Sequence, residues 1–312
     1  MNSTQTTDGK SILVIGAGEL GMPVLRNLAR KAKDQPGSTI SVLLRAVTVE
    51  STDPVKQRDV SEIRELGIVI VTGDILAATI GELATIFARF DTVIGCAGFS
   101  AGRNTPMKLA KAALEAKLKR YFPWQFGVDF DVIGRGSPQD LFDAQIDVRE
   151  LLRGQDKTDW VVISTGMFTS FLFEPIFEVV DLKKNVVNAL GSLETEVTLT
   201  TPDDIGALTA EVVFAQPMIR NEIVYLAGDT VTYGEVAETL QTVLGRPFTK
   251  AEWTAPQLKA ELAQDPDNHI KKYRAVFAEG KGVAWPKCDS FNEKKGINVT
   301  TAEEWVRVNL RS

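Results

Sequence analysis

Short apolar segments alternate with longer amphipathic segments through the first half of the chain. Ser11–Ile15 is a short β-prone run, and Met22–Lys33 follows it with its apolar residues on one helical face. None of the short runs shows the period-two alternation of half-exposed strands, so they are typical of strands buried on both faces of a sheet. The pattern predicts further strands at Thr39–Leu44, Ile68–Val71, Asp91–Cys96, Arg120–Phe122 and Trp160–Ser164.

Helical patterns separate these predicted strands, at Ile80–Ala88, Thr105–Ala116 and Pro138–Arg153. Strands that alternate with helices are joined by right-handed crossovers and form a parallel sheet covered on both faces. The sequence therefore predicts the α/β class, with a doubly wound parallel sheet of the Rossmann type.

The pattern changes after about residue 165. An aromatic stretch covers Phe168–Phe177, and it is followed by a predicted helix at 201–214, a strand at Glu222–Leu226 and a helix at Thr232–Leu244. Residues 251–280 are charged and are predicted to be helical. We expect a nucleotide-binding domain at 1–165 and a smaller α+β substrate-binding region at 166–312, with elements that partly return to the first domain.

Composition excludes some classes of partner. The chain has 312 residues, is 44% hydrophobic and carries a formal net charge of −6, which argues against nucleic acid as a main partner. The start of the chain is polar, and the apolar runs fall far short of the roughly 20 residues that span a bilayer. The two cysteines fit no metal or redox spacing. We expect a cytoplasmic protein, monomeric or homodimeric, with no membrane or metal partner.

A glycine motif, Gly16-Ala17-Gly18-Glu19-Leu20-Gly21, directly follows the first predicted strand and opens the first helix. In this context the first glycine permits a tight turn, the second lets the backbone approach a pyrophosphate, and the third lets helix and strand pack closely. The helix N-terminus then faces the phosphates with free N–H groups. An ordinary glycine-rich turn is the alternative, and the order of strand, motif and helix favours a dinucleotide.

The end of the second strand indicates which dinucleotide. NAD-binding proteins usually place an acidic residue there, whereas this chain has Arg45, a cation suited to a 2′-phosphate. Lys56 and Arg58 in the following loop would add positive charge. We therefore predict NADP(H). A solvated surface arginine is the alternative, and Glu50 would favour NAD if the loop brought it to the ribose.

The ends of the third and fourth strands provide further candidates. Asp74 follows the third strand, where an adenine edge would lie, although an Asp in a turn is common for structural reasons. Ala97, Gly98 and Phe99 follow the fourth strand, where small residues let a cofactor pass. Both segments are expected at the carboxyl edge of the sheet, where ligands bind in such folds.

Together with the glycine motif, Arg45 and Gly73-Asp74, three later segments carry a family resemblance: 119–123, Phe126-Gly127 and Phe142–Leu152. Over about residues 11–245 the chain resembles the NmrA-like, isoflavone-reductase-like group, an atypical branch of the short-chain dehydrogenases. The resemblance implies an NADPH-dependent reductase of small aromatic compounds.

The chain departs from that group at its catalytic lysine, because the matching position is Gln145. A glutamine forms hydrogen bonds but delivers no proton at neutral pH, and acid–base catalysis commonly contributes about 10²–10⁴-fold. Gln145 and Tyr121 are the catalytic candidates. Other groups that would supply a proton are Lys119, Asp143 and the single histidine, His269.

The segment after the fifth strand is expected to line the nicotinamide pocket. In it, Pro123 and Gln125 are predicted to contact the cofactor, and Trp124 and Phe126 the substrate. Residues after the sixth strand are predicted to form an apolar substrate wall, with ordinary core packing as the alternative: Met167, Phe168 and Phe171.

Three functions are compatible with these features. The first is an NADPH-dependent reductase of a small aromatic or quinonoid metabolite. The second is an NADP(H)-binding redox-sensing regulator without turnover, which loss of the lysine would fit. The third is an isomerase or cyclase that retains its cofactor.

Overall fold

A computed structural model describes residues 9–98 and 102–311. Its strands are β1 (Ser11–Ile15), β2 (Thr39–Leu44), β3 (Val69–Thr72), β4 (Thr92–Gly95), β5 (Arg120–Phe122), β6 (Asp159–Ser164), β7 (Met167–Phe168), β8 (Val180–Asp181), β9 (Val186–Leu190), β10 (Glu196–Thr200), β11 (Glu222–Tyr225), β12 (Asp229–Thr232) and β13 (Thr249–Trp253).

The helices run in chain order from α1 to α13. They are α1 (Gly21–Ala32), α2 (Ala46–Val49), α3 (Pro54–Glu65), α4 (Ile80–Phe87), α5 (Thr105–Glu115), α6 (Phe130–Ile133), α7 (Leu141–Arg153), α8 (Pro202–Phe214), α9 (Tyr233–Leu244), α10 (Ala255–Ala263), α11 (His269–Phe277), α12 (Phe291–Lys294) and α13 (Ala302–Asn309). A 3₁₀ helix covers Thr169–Phe173.

Seven strands form one sheet in the order β11-β6-β5-β4-β1-β2-β3. The ladders from β3 through β1 to β6 are parallel, and Ile12 at the centre of the sheet is in register with Ile40 and Thr92. The strand order reverses between β1 and β4, and ligands bind outside the carboxyl ends of the strands at such a point. The predicted doubly wound α/β fold is confirmed.

The chain divides into two compact units that interleave along the sequence. The first consists of the described residues of Met1–Trp124, with Asp147–Val162 and Ile205–Ile223; the second consists of Gln125–Ile146, Ile163–Asp204 and the described residues of Val224–Ser312. The expected division at residue 165 used a single boundary, whereas the chain here passes between the units several times. The assignment of cofactor and substrate to separate regions stays a prediction.

The first unit folds around the sheet. The side chains of β1 from Ile12 onward are almost completely buried, and α1 buries Val24, Leu25 and Leu28 from one face. Full burial of such side chains stabilises the fold by about 1.5–3 kcal/mol each. Gly21 and the residues of the preceding turn are therefore held by a rigid strand on one side and a packed helix on the other.

The second unit contains two small sheets, β12-β10-β7 and β13-β9-β8. The prediction of helix throughout 251–280 is wrong at its start, because β13 pairs in parallel with β9 from Thr249 to Trp253. Two helices, α10 and α11, follow. The strand forms because β9 offers a pairing edge, and such tertiary context overrides a local preference.

Candidate functional site

The turn between β1 and α1 needs glycine at two of its three motif positions for its own packing. Gly16 has φ of +92°, a conformation that side-chain-bearing residues rarely adopt. A Cβ on Gly21 would lie 2.3 Å from the carbonyl oxygen of Gly16. The turn and the first helical residue are therefore in direct backbone contact, as the sequence predicted.

Gly18 differs, because nothing lies within 4 Å of a Cβ built on it. Its backbone is exposed, as is Glu19, while Leu20 turns into the core at 5% exposure. The packing of the described residues therefore gives no reason for a glycine at Gly18. Close approach of a ligand to the backbone is the remaining physical reason.

The N-terminus of α1 is prepared for an anion. No side chain caps it, and its first turn contains no acidic residue. In contrast, Asp53 caps α3 and Thr79 caps α4 through hydrogen bonds to backbone N–H groups. The first N–H groups of a helix lack intrahelical partners and carry the positive end of its dipole, which attracts phosphate.

A cavity of about 320 Å³ lies where β2 and β3 end. Arg45 is the first residue after β2, is exposed and precedes α2 in extended conformation. Its guanidinium is therefore available to a ligand in that cavity. The lining residues are Arg45, Ala46, Val47, Thr72, Gly73 and Asp74.

Asp74 has a structural role in the wall of this cavity. Its carboxylate accepts hydrogen bonds from the backbone N–H of Leu76 (2.8 Å) and Ala77 (3.3 Å). These bonds, with Arg45 and Lys108 nearby, hold the pKa of the Asp74 carboxyl below its ordinary value. Lys108 also donates to the carbonyl oxygen of Leu76 (3.0 Å). Asp74 thus shapes the loop, which leaves its predicted contact with adenine a prediction.

Lys56 lies outside this cavity lining. It occupies the first turn of α3, where its backbone N–H donates to the Asp53 carboxylate at 3.0 Å, and it is exposed. The structure therefore does not bring Lys56 together with Arg45 in the cavity wall. Glu50, which would have favoured NAD, directly follows α2 and is likewise absent from that wall.

Trp124 lies against the end of β4. A Cβ on Gly95 would be 2.9 Å from the backbone N of Trp124, and one on Gly98 would be 3.1 Å from the indole ring. The glycines at and just after the end of β4 therefore leave the space that Trp124 occupies. Ala97 is partly exposed beside them, and Pro123 is buried. Phe99, predicted as a cofactor contact, lies outside the described residues.

Tyr121 is a core residue, which corrects its prediction as a proton donor. It lies in β5 between Val93 and Trp160, is 1% exposed and belongs to the hydrophobic cluster of the first unit. Burial raises the pKa of its hydroxyl far above the ordinary value. Packing in this apolar cluster accounts for Tyr121 without a catalytic role.

Two buried glutamines lie in the second unit. Gln125 is 1% exposed, and its Nε2 donates to the backbone carbonyl of Gln145 at 2.8 Å. Gln145 is 0% exposed, and neither amide atom of its side chain has a hydrogen-bond partner among the described residues. No sequence pattern distinguishes these two environments.

The predicted substrate wall is divided between core and partly exposed positions. Met167 is 5% exposed and packs in the interior of the second unit, so the core alternative describes it better. Phe126, predicted as a substrate contact, is also 5% exposed and buried in that unit. Phe168 and Phe171 are partly exposed. Phe171 contacts Phe177 (ring centroids 4.7 Å apart) and Tyr273 (6.2 Å). Sequence analysis missed Tyr273, since nothing in the pattern of α11 distinguishes it.

The remaining proton-donor candidates have other roles or positions. Lys119 forms an ion pair with Asp91 at 2.6 Å. Asp143 accepts a hydrogen bond from the backbone N–H of Gly136 at 3.1 Å, and His269 is the exposed first residue of α11. The contacts of Lys119 and Asp143 account for these two residues without catalysis.

Within residues 9–98 and 102–311, no cluster of side chains is suited to a metal ion. None of the helices in those ranges is both long and apolar enough to cross a membrane.

Comparisons with known proteins agree with the motifs. A model of the NmrA-like family matches residues 8–306. An NmrA-like family domain-containing oxidoreductase from Gibberella moniliformis is 44% identical over 302 residues, which cover 96% of this chain and 98% of that protein. The match extends well beyond residue 245, where the sequence resemblance was expected to fade.

Two solved structures share the fold. An isoflavone reductase superposes with a TM-score of 0.78 at 19% identity, covering 96% of this chain and 99% of that one. The binary complex of leucoanthocyanidin reductase with NADPH from Vitis vinifera superposes with a TM-score of 0.75 at 18% identity, covering 94% and 97%. The predicted resemblance to this group is confirmed.

Proposed function

The chain belongs to the NmrA-like family, in which its fungal relative is an oxidoreductase, and on that premise we propose that it is an NADPH-dependent reductase. Its substrate in this proposal is a small aromatic or quinonoid compound. The cofactor assignment rests on Gly18. The packing of the described residues does not require a glycine there, and the absence of a side chain leaves the backbone open to a pyrophosphate.

The residues present fit NADP(H). The turn Gly16–Gly21 and the uncapped N-terminus of α1 would hold the pyrophosphate through backbone N–H groups. Arg45 would pair with the 2′-phosphate, for which its guanidinium is well suited. Gly73 and Asp74 would border the adenosine. The leucoanthocyanidin reductase, which shares the fold, binds NADPH.

When bound, the cofactor supplies a hydride from its nicotinamide. The two predicted catalytic residues are poorly suited to proton transfer. Gln145 orients a partner through hydrogen bonds and transfers no proton, and Tyr121 is enclosed in the core. We therefore favour an acceptor that needs little acid help, such as a quinone, which accepts the hydride and takes the one further proton from water.

The lack of a suitable proton donor at the two predicted catalytic positions favours a second candidate, a redox-sensing regulator that binds NADP(H) without turnover. Neither predicted catalytic residue is suited to transfer a proton at neutral pH, because Gln145 has no acidic group and Tyr121 is enclosed in the core, and a regulator needs no proton transfer. Partners of such a regulator would be proteins rather than small aromatic compounds.

One experiment separates the two candidates. Purified protein is titrated with NADPH and with NADH while cofactor fluorescence is followed, and NADPH oxidation is then measured with a panel of quinones and aromatic enones. Tight NADPH binding with steady oxidation supports the reductase. Tight binding with no turnover across the panel, and discrimination between NADP⁺ and NADPH, supports the regulator. No binding of either cofactor refutes both.

A further inference from the structure

The side-chain amide of Gln145 is buried without a hydrogen-bond partner among the described residues. A glutamine amide carries two N–H donors and an acceptor oxygen, yet neither Nε2 nor Oε1 of Gln145 has a partner in the described part of the chain. Both atoms are closed to solvent, and the residue is 0% exposed. Buried polar groups are almost always paired, so an unpaired one calls for a missing partner.

Gln125 provides a matched comparison. It is a glutamine of the same unit with nearly the same burial, 1% exposed, but its Nε2 is bonded to the Gln145 carbonyl. Burial therefore does not by itself prevent a glutamine from finding a partner in this unit. What distinguishes Gln145 is that its amide points where the described residues supply no donor or acceptor.

A second polar side chain of the same unit is also unpaired. Ser164 ends β6 at 0% exposure, and its hydroxyl has no partner within the described residues. Its backbone forms a parallel bridge with Gly127, two residues beyond Gln125. Gln145 and Ser164 are thus both tied to the segment Gln125–Gly127, and both carry uncharged groups.

The chemistry of these groups selects the ligand. Burying an ionised ligand against an amide and a hydroxyl costs more desolvation free energy than burying an uncharged one. An uncharged oxygen satisfies them. Phe142 lies three residues before Gln145 on α7, and its ring contacts Tyr273 with centroids 6.0 Å apart. Tyr273 in turn contacts Phe171 (6.2 Å), so aromatic surface is available in the same unit.

We propose that the Gln145 amide binds the oxygen of an uncharged ring compound, and that its lack of a partner destabilises the ligand-free protein. This inference rests on the proposed reductase function and narrows its substrate to uncharged carbonyl or hydroxyl compounds. Because neither amide atom is open to solvent, ligand entry moves the side chains around it. Stability and binding therefore oppose each other at this residue.

The proposed destabilisation of the ligand-free protein is tested with Gln145→Met and Gln125→Met, which replace each amide by an apolar chain of similar size. Removing an unpaired amide should raise the melting temperature, by about 2–4 °C, whereas removing the bonded amide of Gln125 should lower it. A fall for Gln145→Met would mean that the amide has a partner in the free protein, and the inference would be overturned.

The proposed binding of an uncharged oxygen by Gln145 is tested with 2,3-dimethyl-1,4-naphthoquinone, a quinone whose substituted ring resists reaction with the exposed thiol of Cys288. Calorimetry in the presence of NADP⁺, which does not reduce it, should give a dissociation constant roughly 3- to 10-fold higher for Gln145→Met than for the wild type. The anion 1-naphthoate should bind the wild type more weakly than the quinone.

The outcomes separate the two proposals. A wild-type protein that fails to bind NADPH refutes the proposed function. A wild type that binds NADPH but not the quinone, that prefers 1-naphthoate, or that binds the quinone no better than Gln145→Met overturns the inference about Gln145 alone.

Discussion

Replacing Arg45 by alanine should separate the two cofactors. Arg45 is exposed at the end of β2 and lines a cavity of about 320 Å³, where a 2′-phosphate would meet its guanidinium. NADH has no 2′-phosphate and so loses nothing when the guanidinium is removed. We expect weaker NADPH binding and NADH binding that changes less than about twofold, within the ±0.5 kcal/mol typical of surface substitutions.

The magnitude follows from the exposure of the arginine. Hydrogen bonds to charged groups contribute about 1.5–3 kcal/mol, and solvent reduces the contribution of exposed pairs. The lower end, about 1.5 kcal/mol, corresponds to a roughly tenfold rise in the NADPH dissociation constant. Arg45 also stabilises the Asp74 carboxylate, whose pKa it helps to lower.

The assay is a titration of both cofactors followed by fluorescence, at about 0.05 and about 0.5 M salt. Screening should narrow the difference between wild type and Arg45→Ala at the higher salt. Arg58→Ala is the matched control, since Arg58 is also an exposed arginine (74% side-chain exposure) but lies outside the cavity lining. Equal losses for NADPH and NADH would refute the assignment of Arg45 to the 2′-phosphate.

Three further predictions follow from the geometry. Gly18→Ala should weaken NADPH binding and leave the melting temperature of the free protein unchanged. Gly21→Ala should lower that melting temperature, because its Cβ would lie 2.3 Å from the Gly16 carbonyl oxygen. The same loss of stability for both variants would contradict the ligand role of Gly18. Tyr121→Phe should leave turnover of any substrate within about twofold of wild type, since the residue is in the core; loss of turnover with an unchanged melting temperature would count against this. Because the pKa of Asp74 is lowered in the folded protein, its hydrogen bonds to the Leu76 and Ala77 N–H groups contribute stability fully above the ordinary pKa of 3.8, and this contribution is lost as the pH falls through the lowered folded value. Asp74→Asn should therefore flatten the acid side of the curve of unfolding free energy against pH measured with urea, and an unchanged slope would show that these bonds contribute little.

Much of the first unit follows from local sequence signals. The strand bounds Ser11–Ile15 and Thr39–Leu44 were predicted to the residue, because continuous apolar runs and the turns that end them are visible in the sequence alone. The glycine turn was likewise predicted, since a positive φ and a close backbone contact each demand glycine. The family resemblance rests on these same local motifs.

Only the tertiary structure decided which side chains meet and which are enclosed. Tyr121 and Lys56 were plausible by residue type, but β5 carries Tyr121 into the core and α3 carries Lys56 outside the wall that contains Arg45. The strand at Thr249–Trp253 depends on β9, about 60 residues earlier in the chain. The contrast between Gln125 and Gln145 arises in the same way, because a hydrogen bond depends on partners that chain packing supplies. Local sequence determines what each segment can form, and packing determines what each side chain meets.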